Sequence, residues 1–293
     1  GASREQLEEA IDHAFDAMQR LIGLLTRFDT ASPVSHLNAT GTLVGPPPEV
    51  RDVVSSALDY HRLTRGAFDV SVAPLVDLFW DRLIRESPVE PTPAEVAEAQ
   101  ARVGAEHIAL SRRRIDLGRP GMRLTLDGIA KGYIVDAIAA VLDRGGVRRY
   151  LVNAGGDIRA RGTNGEGRAW TVAVENPWRR GEYPDAINLS DAAVATSGSY
   201  ERFFNDTRTY HHIVNAATGR SPVHCSSVSV VAPTALAADA LATSVFVMGP
   251  QRGVEFIDAL TGTACLILDV NGREHRSRGW RSAAPSSGEP GTS

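Results

Sequence analysis

The chain has 293 residues, of which 43% are hydrophobic and 23% charged, a composition that supports a sizeable core and excludes disordered and fibrous classes. The net charge of −4, with both signs interspersed, disfavours nucleic acid and anionic membranes as partners. No stretch approaches the roughly 18 apolar residues of a membrane span. The two cysteines, Cys225 and Cys265, are too few for a disulfide framework, although one bridge between them stays open.

The first half of the chain predicts helices followed by a strand-like region. Ser3, with Gln6 three residues later, forms a capping-box pattern before an apolar stripe that ends at Leu25. A second helical stripe follows at 50–58, and a capped helix start lies at Thr92. The pattern becomes strand-like over 106–126. Because the printed chain starts directly in a predicted helix, an export signal or a leading strand in front of it stays open.

The second half mixes helices and strands without an internal repeat or a separating linker. Helices are predicted at 129–142 and 235–248, strands at 150–153, 170–174, 193–196, 210–214 and 228–232, and a hairpin at 266–272. This order predicts an α+β fold in which two interlocked lobes form one domain over 1–281. The tail 282–293, rich in Ser, Pro and Gly, is predicted to be disordered.

Asp239 and Thr243 lie four residues apart in the last predicted helix, and therefore on one helical face. Both offer hard oxygen ligands. Magnesium usually takes one or two protein carboxylates and completes its octahedron with phosphates and water. The pair suits a metal shared with a nucleotide, although an internally bonded Thr near an ordinary Asp fits the same spacing.

Two glycine-containing segments follow predicted strands. In Asn153-Ala154-Gly155-Gly156-Asp157 the paired glycines would allow a ligand to approach the backbone, and successive amides could bind an anion. The segment Thr196-Ser197-Gly198 offers hydroxyls and amides for phosphate or flavin. Either segment fits an ordinary turn equally well.

Further polar groups lie at element junctions. The segment from Asp127 to Gly132 joins a strand to a helix and carries Lys131, but it has neither Walker nor Gly-x-Gly-x-x-Gly order. In the predicted strand 210–214, His211 and His212 should face opposite sides, so at most one faces a ligand. A compact cluster at 64–71 contains Asp69 and Ser71.

Taken in order, these segments resemble the ApbE family of FAD:protein FMN transferases from about Phe28 to Ala264. The matching windows are FDTASPVSHLN, TRGAFDVSVAPLVDLFW, LTLDGIAKGYIVD, LVNAGGDIRARG, AVATSGSY, YHHIVNAATG and SVSVVAPTALAADALATSVFVMG. One window would be weak evidence, whereas seven in family order form a specific pattern.

The resemblance implies an ApbE-like, T-fold-related architecture of mixed sheets and helices, with a flavin site between the lobes. It implies Mg²⁺ held by Asp239, Thr243 and the backbone carbonyl of Ala130. It implies FAD contacts at Asp69, Ser71, Lys131, Asn153, Gly155, Gly156, Asp157, Thr196, Ser197, Gly198, His212, Thr218 and Gly219. His212 is the expected general base, with Asp157 as a substitute.

The chain also departs from the family pattern. Asp127 stands where a glycine usually precedes Gly128, and could add a carboxylate near the metal. Asn215-Ala216-Ala217 replaces the usual Asp-Pro-Arg, and Val70-Ser71 replaces a common Pro-Thr. The family's leading Met-Gly-Thr strand, which helps to form the flavin site, has no counterpart in the printed sequence.

The function expected from the resemblance is Mg²⁺-dependent transfer of FMN from FAD to a Ser or Thr hydroxyl of an acceptor protein, with release of AMP. The acceptor is expected to be an exported or membrane redox protein, and the location periplasmic. Two alternatives stay open: a FAD pyrophosphatase that yields FMN and AMP, and a non-catalytic FAD-binding accessory protein for a redox partner.

Overall fold

The computed structural model describes residues 3–179 and 181–283. The helices are α1 (Arg4–Leu25), α2 (Pro33–Thr40), α3 (Pro48–Leu63), α4 (Ala73–Leu83), α5 (Pro93–Gln100), α6 (Ala130–Arg144), α7 (Ala235–Met248) and α8 (Pro250–Asp258). The strands are β1 (Thr42–Val44), β2 (Ile108–Leu110), β3 (Arg114–Leu117), β4 (Tyr150–Ala154), β5 (Asp157–Arg161), β6 (Trp170–Val174), β7 (Asp185–Leu189), β8 (Ala192–Gly198), β9 (Cys225–Ala232), β10 (Ala264–Asp269) and β11 (Glu274–Arg276). The predicted α+β class is confirmed.

The predicted capping box opens α1. The Ser3 hydroxyl accepts from the Gln6 amide at 3.2 Å, and the Gln6 side chain accepts from the Ser3 amide at 2.8 Å. The face of α1 that carries Ala14 and Leu21 is buried and shares a core with α2, α3 and α6. The adjacent apolar face of α1 is exposed, and the side chain of Phe15 on it is 56% exposed. This first lobe also contains the three-stranded sheet β1-β3-β2.

The second lobe is a six-stranded antiparallel sheet with the order β11-β10-β9-β8-β5-β4. Helix α7 is buried over most of its length and packs on this sheet through a core that includes Val230 and Phe246. The hairpin β6-β7 contributes to a separate core with residues of β5, β8 and β10. Helix α6 contributes to the core of each lobe, so the two lobes are joined by a shared helix and not by a separating linker.

Two sequence predictions are corrected by the structure. The predicted strand 210–214 is wrong: His211 forms only an isolated bridge with Phe203. The reason is local, because the Ser221 hydroxyl accepts from the His211 amide and donates to its carbonyl, which satisfies this backbone without a neighbouring strand. Within 106–126, only β2 and β3 form.

The chain remains ordered beyond the predicted start of the tail. Ser282 donates a hydrogen bond to Asp185 at 2.9 Å, and the amide of Ala283 donates to the carbonyl of Ala186. The remaining predicted tail, 284–293, lies outside the described residues. Both cysteines are buried and free. Within the described ranges, no helix has both the length and the hydrophobicity to cross a bilayer.

Candidate functional site

A cavity of about 620 Å³ opens between the lobes. Its wall combines the end of α1, the segments 67–72 and 125–131, the end of β8, and α7. Nine of the predicted site residues line it: Asp69, Ala130, Lys131, Thr196, Ser197, Gly198, His212, Asp239 and Thr243. The volume falls in the range of small-molecule sites, so the fold brings most of the predicted site together at a ligand-sized space.

The floor of the cavity lies where α6 begins against α7. Asp239 is 3% exposed, and its carboxylate accepts a hydrogen bond from the Gly132 amide at 3.1 Å. A Cβ at Gly132 would lie 2.3 Å from the carbonyl oxygen of Ala235, so only glycine permits this approach of the two helices. Ala130 and Lys131 of the first turn of α6 also line the cavity, so the positive end of the helix dipole lies beside it, an arrangement that favours phosphate.

Three charged groups share the floor. Lys131 Nζ lies 3.4 Å from Asp157 Oδ2, an ion pair longer than a good hydrogen bond. Burial raises the pKa of Asp239 well above its ordinary value, and the charge of Asp157 raises it further. Burial alone would lower the pKa of Lys131, but the carboxylates of Asp239, Asp157 and Glu201 together raise it. At the floor, the single positive charge of Lys131 is therefore outnumbered by the carboxylates around it.

Asp157 does not line the cavity but lies directly behind Lys131. It is 1% exposed, and burial raises its pKa while Lys131 opposes this effect. Neither of its carboxylate oxygens has a hydrogen-bond partner among the described residues. A buried carboxylate without partners is costly unless a cation is close.

Thr243 is held from two sides. Its hydroxyl lies 3.3 Å from that of Ser197, which joins α7 to the end of β8. A Cβ on Gly128 would lie 2.8 Å from the same hydroxyl. Gly128 therefore leaves the space that Thr243 occupies, a requirement that cannot be read from sequence spacing.

Asp69 and Ser71 form a structural clamp at the edge of the site. Asp69 accepts from the Ser71 amide and hydroxyl at 2.8 and 2.5 Å, and the Ser71 hydroxyl accepts from the Gly104 amide at 2.7 Å. Asp69 also accepts from the Ala105 amide and lies 3.4 Å from His61 Nδ1. Asp69 reaches the cavity, whereas Ser71 is fully buried and does not.

The two neighbouring histidines occupy different environments. His211 is 1% exposed, and its Nε2 lies 2.8 Å from the Pro222 carbonyl while its Nδ1 accepts from the Ile213 amide. Burial lowers its pKa to about 4. His212 lines the cavity, and burial lowers its pKa in spite of the carboxylates of Glu201 and Asp127. His212 therefore lines the cavity and His211 does not, although the segment is not the strand from which opposite orientations were predicted.

Five predicted contacts lie elsewhere. Asn153, Gly155 and Gly156 line a second cavity of about 520 Å³, which shares Thr196 and Glu201 with the first. Thr218 is exposed, and a Cβ at Gly219 would meet Val96 and Gln100 of α5. Gln100 donates to the carbonyls of Ala216 and Ala217, so this turn is tied to α5 and is absent from the lining of the first cavity.

Sequence reasoning missed several residues of the wall. Phe28 lines the cavity and keeps 68% of its surface exposed, which leaves an apolar ring at the rim. Glu201 and Arg202 line the cavity from the short helical turn after β8. Asp127, which the sequence analysis expected near the metal, lines the cavity too, with its side chain 60% exposed and 4.0 Å from Arg27 Nε. Phe28 begins the first window that matches the family, whereas Glu201 and Arg202 lie just outside the matching windows.

The donor set fits a hard divalent cation. Asp239, Thr243 and Ala130 line the cavity, and the carboxylate, the hydroxyl and the backbone carbonyl that they offer are oxygen groups of the kind that binds such a cation. Burial, and then the charge of Asp157, raise the pKa of Asp239, and a bound cation would stabilise the charged forms of both carboxylates.

Residues 2–267 match the model of the ApbE family. The chain belongs to this family. It is 33% identical over 257 residues to the FAD:protein FMN transferase of Haemophilus influenzae, covering 83% of this chain and 74% of that protein. It is 33% identical over 243 residues to the Salmonella typhimurium enzyme of the same name, covering 80% and 69%.

Solved ApbE structures agree with the fold. The ApbE protein of Thermotoga maritima matches with a TM-score of 0.85 at 29% identity, covering 92% of this chain and 89% of that one. The flavin transferase ApbE of Vibrio cholerae matches with a TM-score of 0.80 at 30% identity, covering 94% and 90%. The inter-lobe cavity therefore lies in an ApbE fold.

Proposed function

We propose that this protein is a Mg²⁺-dependent FAD:protein FMN transferase that attaches FMN to a Ser or Thr hydroxyl. The observation that carries the proposal is the single cavity onto which Asp239, Thr243, Lys131 and His212 converge. Curated relatives with this activity in their names support the substrate and the reaction.

The floor of the cavity suits a pyrophosphate. Lys131 supplies a positive charge beside the first turn of α6, and the hydroxyls of Ser197 and Thr196 supply hydrogen bonds. Phe28 offers an apolar ring at the rim for a planar group. A magnesium ion held by Asp239, Thr243 and the Ala130 carbonyl would neutralise phosphate charge, which is the main catalytic need in phosphoryl transfer.

His212 is placed to receive the proton of the acceptor hydroxyl. Its Nδ1 lies 3.5 Å from the carbonyl oxygen of Arg202, and because a carbonyl can only accept, this contact favours the tautomer with the proton on Nδ1. Nε2 is then free to accept. The acceptor oxygen attacks the flavin-side phosphorus, the bond to the bridging oxygen breaks, AMP leaves, and the proton passes to His212.

The test incubates the protein with FAD and MgCl₂ in three arms: with a library of 12-residue peptides that each contain one Thr, with a matched library in which Val replaces Thr, and without peptide. Mass spectrometry should find FMN-modified peptides only in the Thr arm, with AMP released in equal amount. AMP in all three arms would identify a pyrophosphatase. FAD binding without AMP in any arm would identify an accessory protein.

The resemblance also supports the proposal that the protein acts outside the cytoplasm on an exported or membrane redox protein. Fractionation of the source cells, followed by immunodetection, tests this location. Recovery in the cytoplasmic fraction alone would contradict it.

A further inference from the structure

Among the described residues, the second cavity has no positively charged side chain to bind a phosphate. Its described lining includes the carboxylates of Glu175 and Glu201 and contains neither lysine nor arginine. The pyrophosphate of a dinucleotide would therefore be repelled there, whereas the first cavity contains Lys131. The lining of the second cavity therefore favours an occupant other than the pyrophosphate of FAD.

One wall of this cavity is the free edge of strand β6. The cavity is lined by Val172, Ala173, Val174 and Glu175 in succession. Because alternate side chains of a strand point to opposite faces, a cavity lined by four consecutive residues borders the backbone edge of the strand as well as one face. β6 pairs with β7 on one side, and within the described ranges no strand pairs with its other side.

The remaining wall resembles a binding site for a main chain. Gly155 and Gly156 have φ values of +66° and +102°, and a Cβ at either would meet nothing within 4 Å, so open space lies beside their backbone. Tyr183, 61% exposed, and Tyr200 provide aromatic surface. A free strand edge with adjacent side-chain pockets binds extended polypeptide by strand addition.

The second cavity also adjoins the first, which holds the proposed reacting groups. Thr196 and Glu201 line both cavities. The next residue, Ser197, lies 3.3 Å from the hydroxyl of Thr243 at the metal pair. A side chain that projects from the second cavity past Thr196 would thus enter the first beside the phosphate-binding floor.

We propose that the second cavity binds the acceptor polypeptide as an extended segment along the free edge of β6, with its Ser or Thr side chain directed past Thr196. The inference rests on the proposed function for the identity of the polypeptide as acceptor. It assigns Tyr183 and Ala173 to acceptor binding and not to FAD binding.

The test uses an array of 12-residue peptides with a central Thr and randomised flanks, probed with fluorescently labelled protein in the presence of AMP and MgCl₂. The tightest binder is then titrated in solution against wild type, Ala173→Trp, Tyr183→Ala and the control Trp178→Ala. Trp178 is an exposed aromatic at the start of the same loop, but it lines a different cavity.

Ala173→Trp places a bulky side chain beside the strand edge and should raise the peptide dissociation constant at least about tenfold, and Tyr183→Ala about threefold to tenfold. Trp178→Ala should leave it unchanged. All three variants should bind FAD within about twofold of wild type, and amide exchange of 170–174 should slow when the peptide binds.

Failure of the inference is distinct from failure of the proposed function. A wild-type protein that binds peptide at β6 but does not transfer FMN would refute the function and leave the acceptor groove standing. Wild type that binds no peptide above background, or Ala173→Trp and Tyr183→Ala with unchanged peptide affinity, would overturn the groove. A matching loss of FAD affinity would show that the cavity belongs to the nucleotide.

Discussion

The floor and the outer wall of the first cavity are built in different ways. On the floor, α6 and α7 approach so closely that Gly132 has no room for a side chain, and Asp239 is positioned by a backbone amide. The outer wall, 199–219, is irregular. Its backbone is held by side chains such as Asn205, which accepts from the amides of Thr209 and Tyr210 at 3.1 Å.

This difference predicts different consequences of substitution. Changes on the floor should alter stability and metal-dependent binding, because the same packing holds the fold and the ligands. Changes at wall residues that line the cavity should alter turnover with little loss of stability, whereas the buried His211, which does not line the cavity, should affect stability. The following predictions test this division, from the largest expected effect to the smallest.

His212→Ala should lower the rate of FMN transfer about a hundredfold to ten-thousandfold, the usual contribution of a general base. Its FAD dissociation constant should rise by less than about tenfold, since one neutral contact contributes about 1 kcal/mol. Burial lowers the pKa of His212. The apparent pKa of the acid limb of the kcat/KM profile should therefore lie below about 6.5, the ordinary value for histidine. Single-turnover kinetics and FAD titration measure both quantities, and a wild-type rate would exclude His212 as the base.

His211 should make stability depend on pH. Its pKa is about 4 in the folded protein, against about 6.5 when unfolded, so the unfolded state binds more protons between these values. Stability is therefore complete above about pH 6.5 and declines as pH falls toward 4, by about 3 kcal/mol in total. Protonation of Nδ1 would also oppose the amide of Ile213 that it accepts from.

Denaturant unfolding at pH 7 and pH 4.5 measures the His211 effect. His211→Gln should be less stable than wild type at pH 7 but should lose less stability on acidification. An equal loss in both proteins would assign the pH dependence to other groups.

Gly132→Ala should destabilise the fold by about 1–3 kcal/mol, because its Cβ would lie 2.3 Å from the Ala235 carbonyl oxygen and force α6 from α7. Gly23→Ala is the matched control, since this glycine is also helical but a Cβ there meets nothing within 4 Å. The control should be unchanged or more stable by up to about 1 kcal/mol. Equal melting temperatures for the two variants would contradict the close approach.

Asp239→Asn should raise the melting temperature without Mg²⁺ while abolishing the effect of Mg²⁺ on FAD affinity. The amide oxygen can still accept from Gly132, but the repulsion of Asp157 is removed. A gain of 1 kcal/mol corresponds to a shift of about 2–4 °C in a chain of this size class. Thermal melts and FAD titrations with and without chelator test this, and Mg²⁺ dependence equal to wild type would refute Asp239 as a ligand.

The sequence by itself determined the elements whose signals are local. Helix α7 begins and ends where the apolar run does, with Thr234 accepting from the Ala237 amide at its start. Its i, i+4 spacing places Asp239 and Thr243 on one face, and both line the cavity. The hairpin at Asn271-Gly272 and the capping box at Ser3 are equally local and are confirmed.

Only the tertiary structure decided which glycines and histidines face the ligand space. The Asn153 to Gly156 turn, which the resemblance assigns to flavin binding, lines the second cavity, because the end of β4 and the start of β5 lie on that side of Thr196. Gly128 is needed only because Thr243, more than a hundred residues later, fills the space above it. Such contacts depend on the packing of distant backbones, which no periodicity or local spacing in the chain encodes.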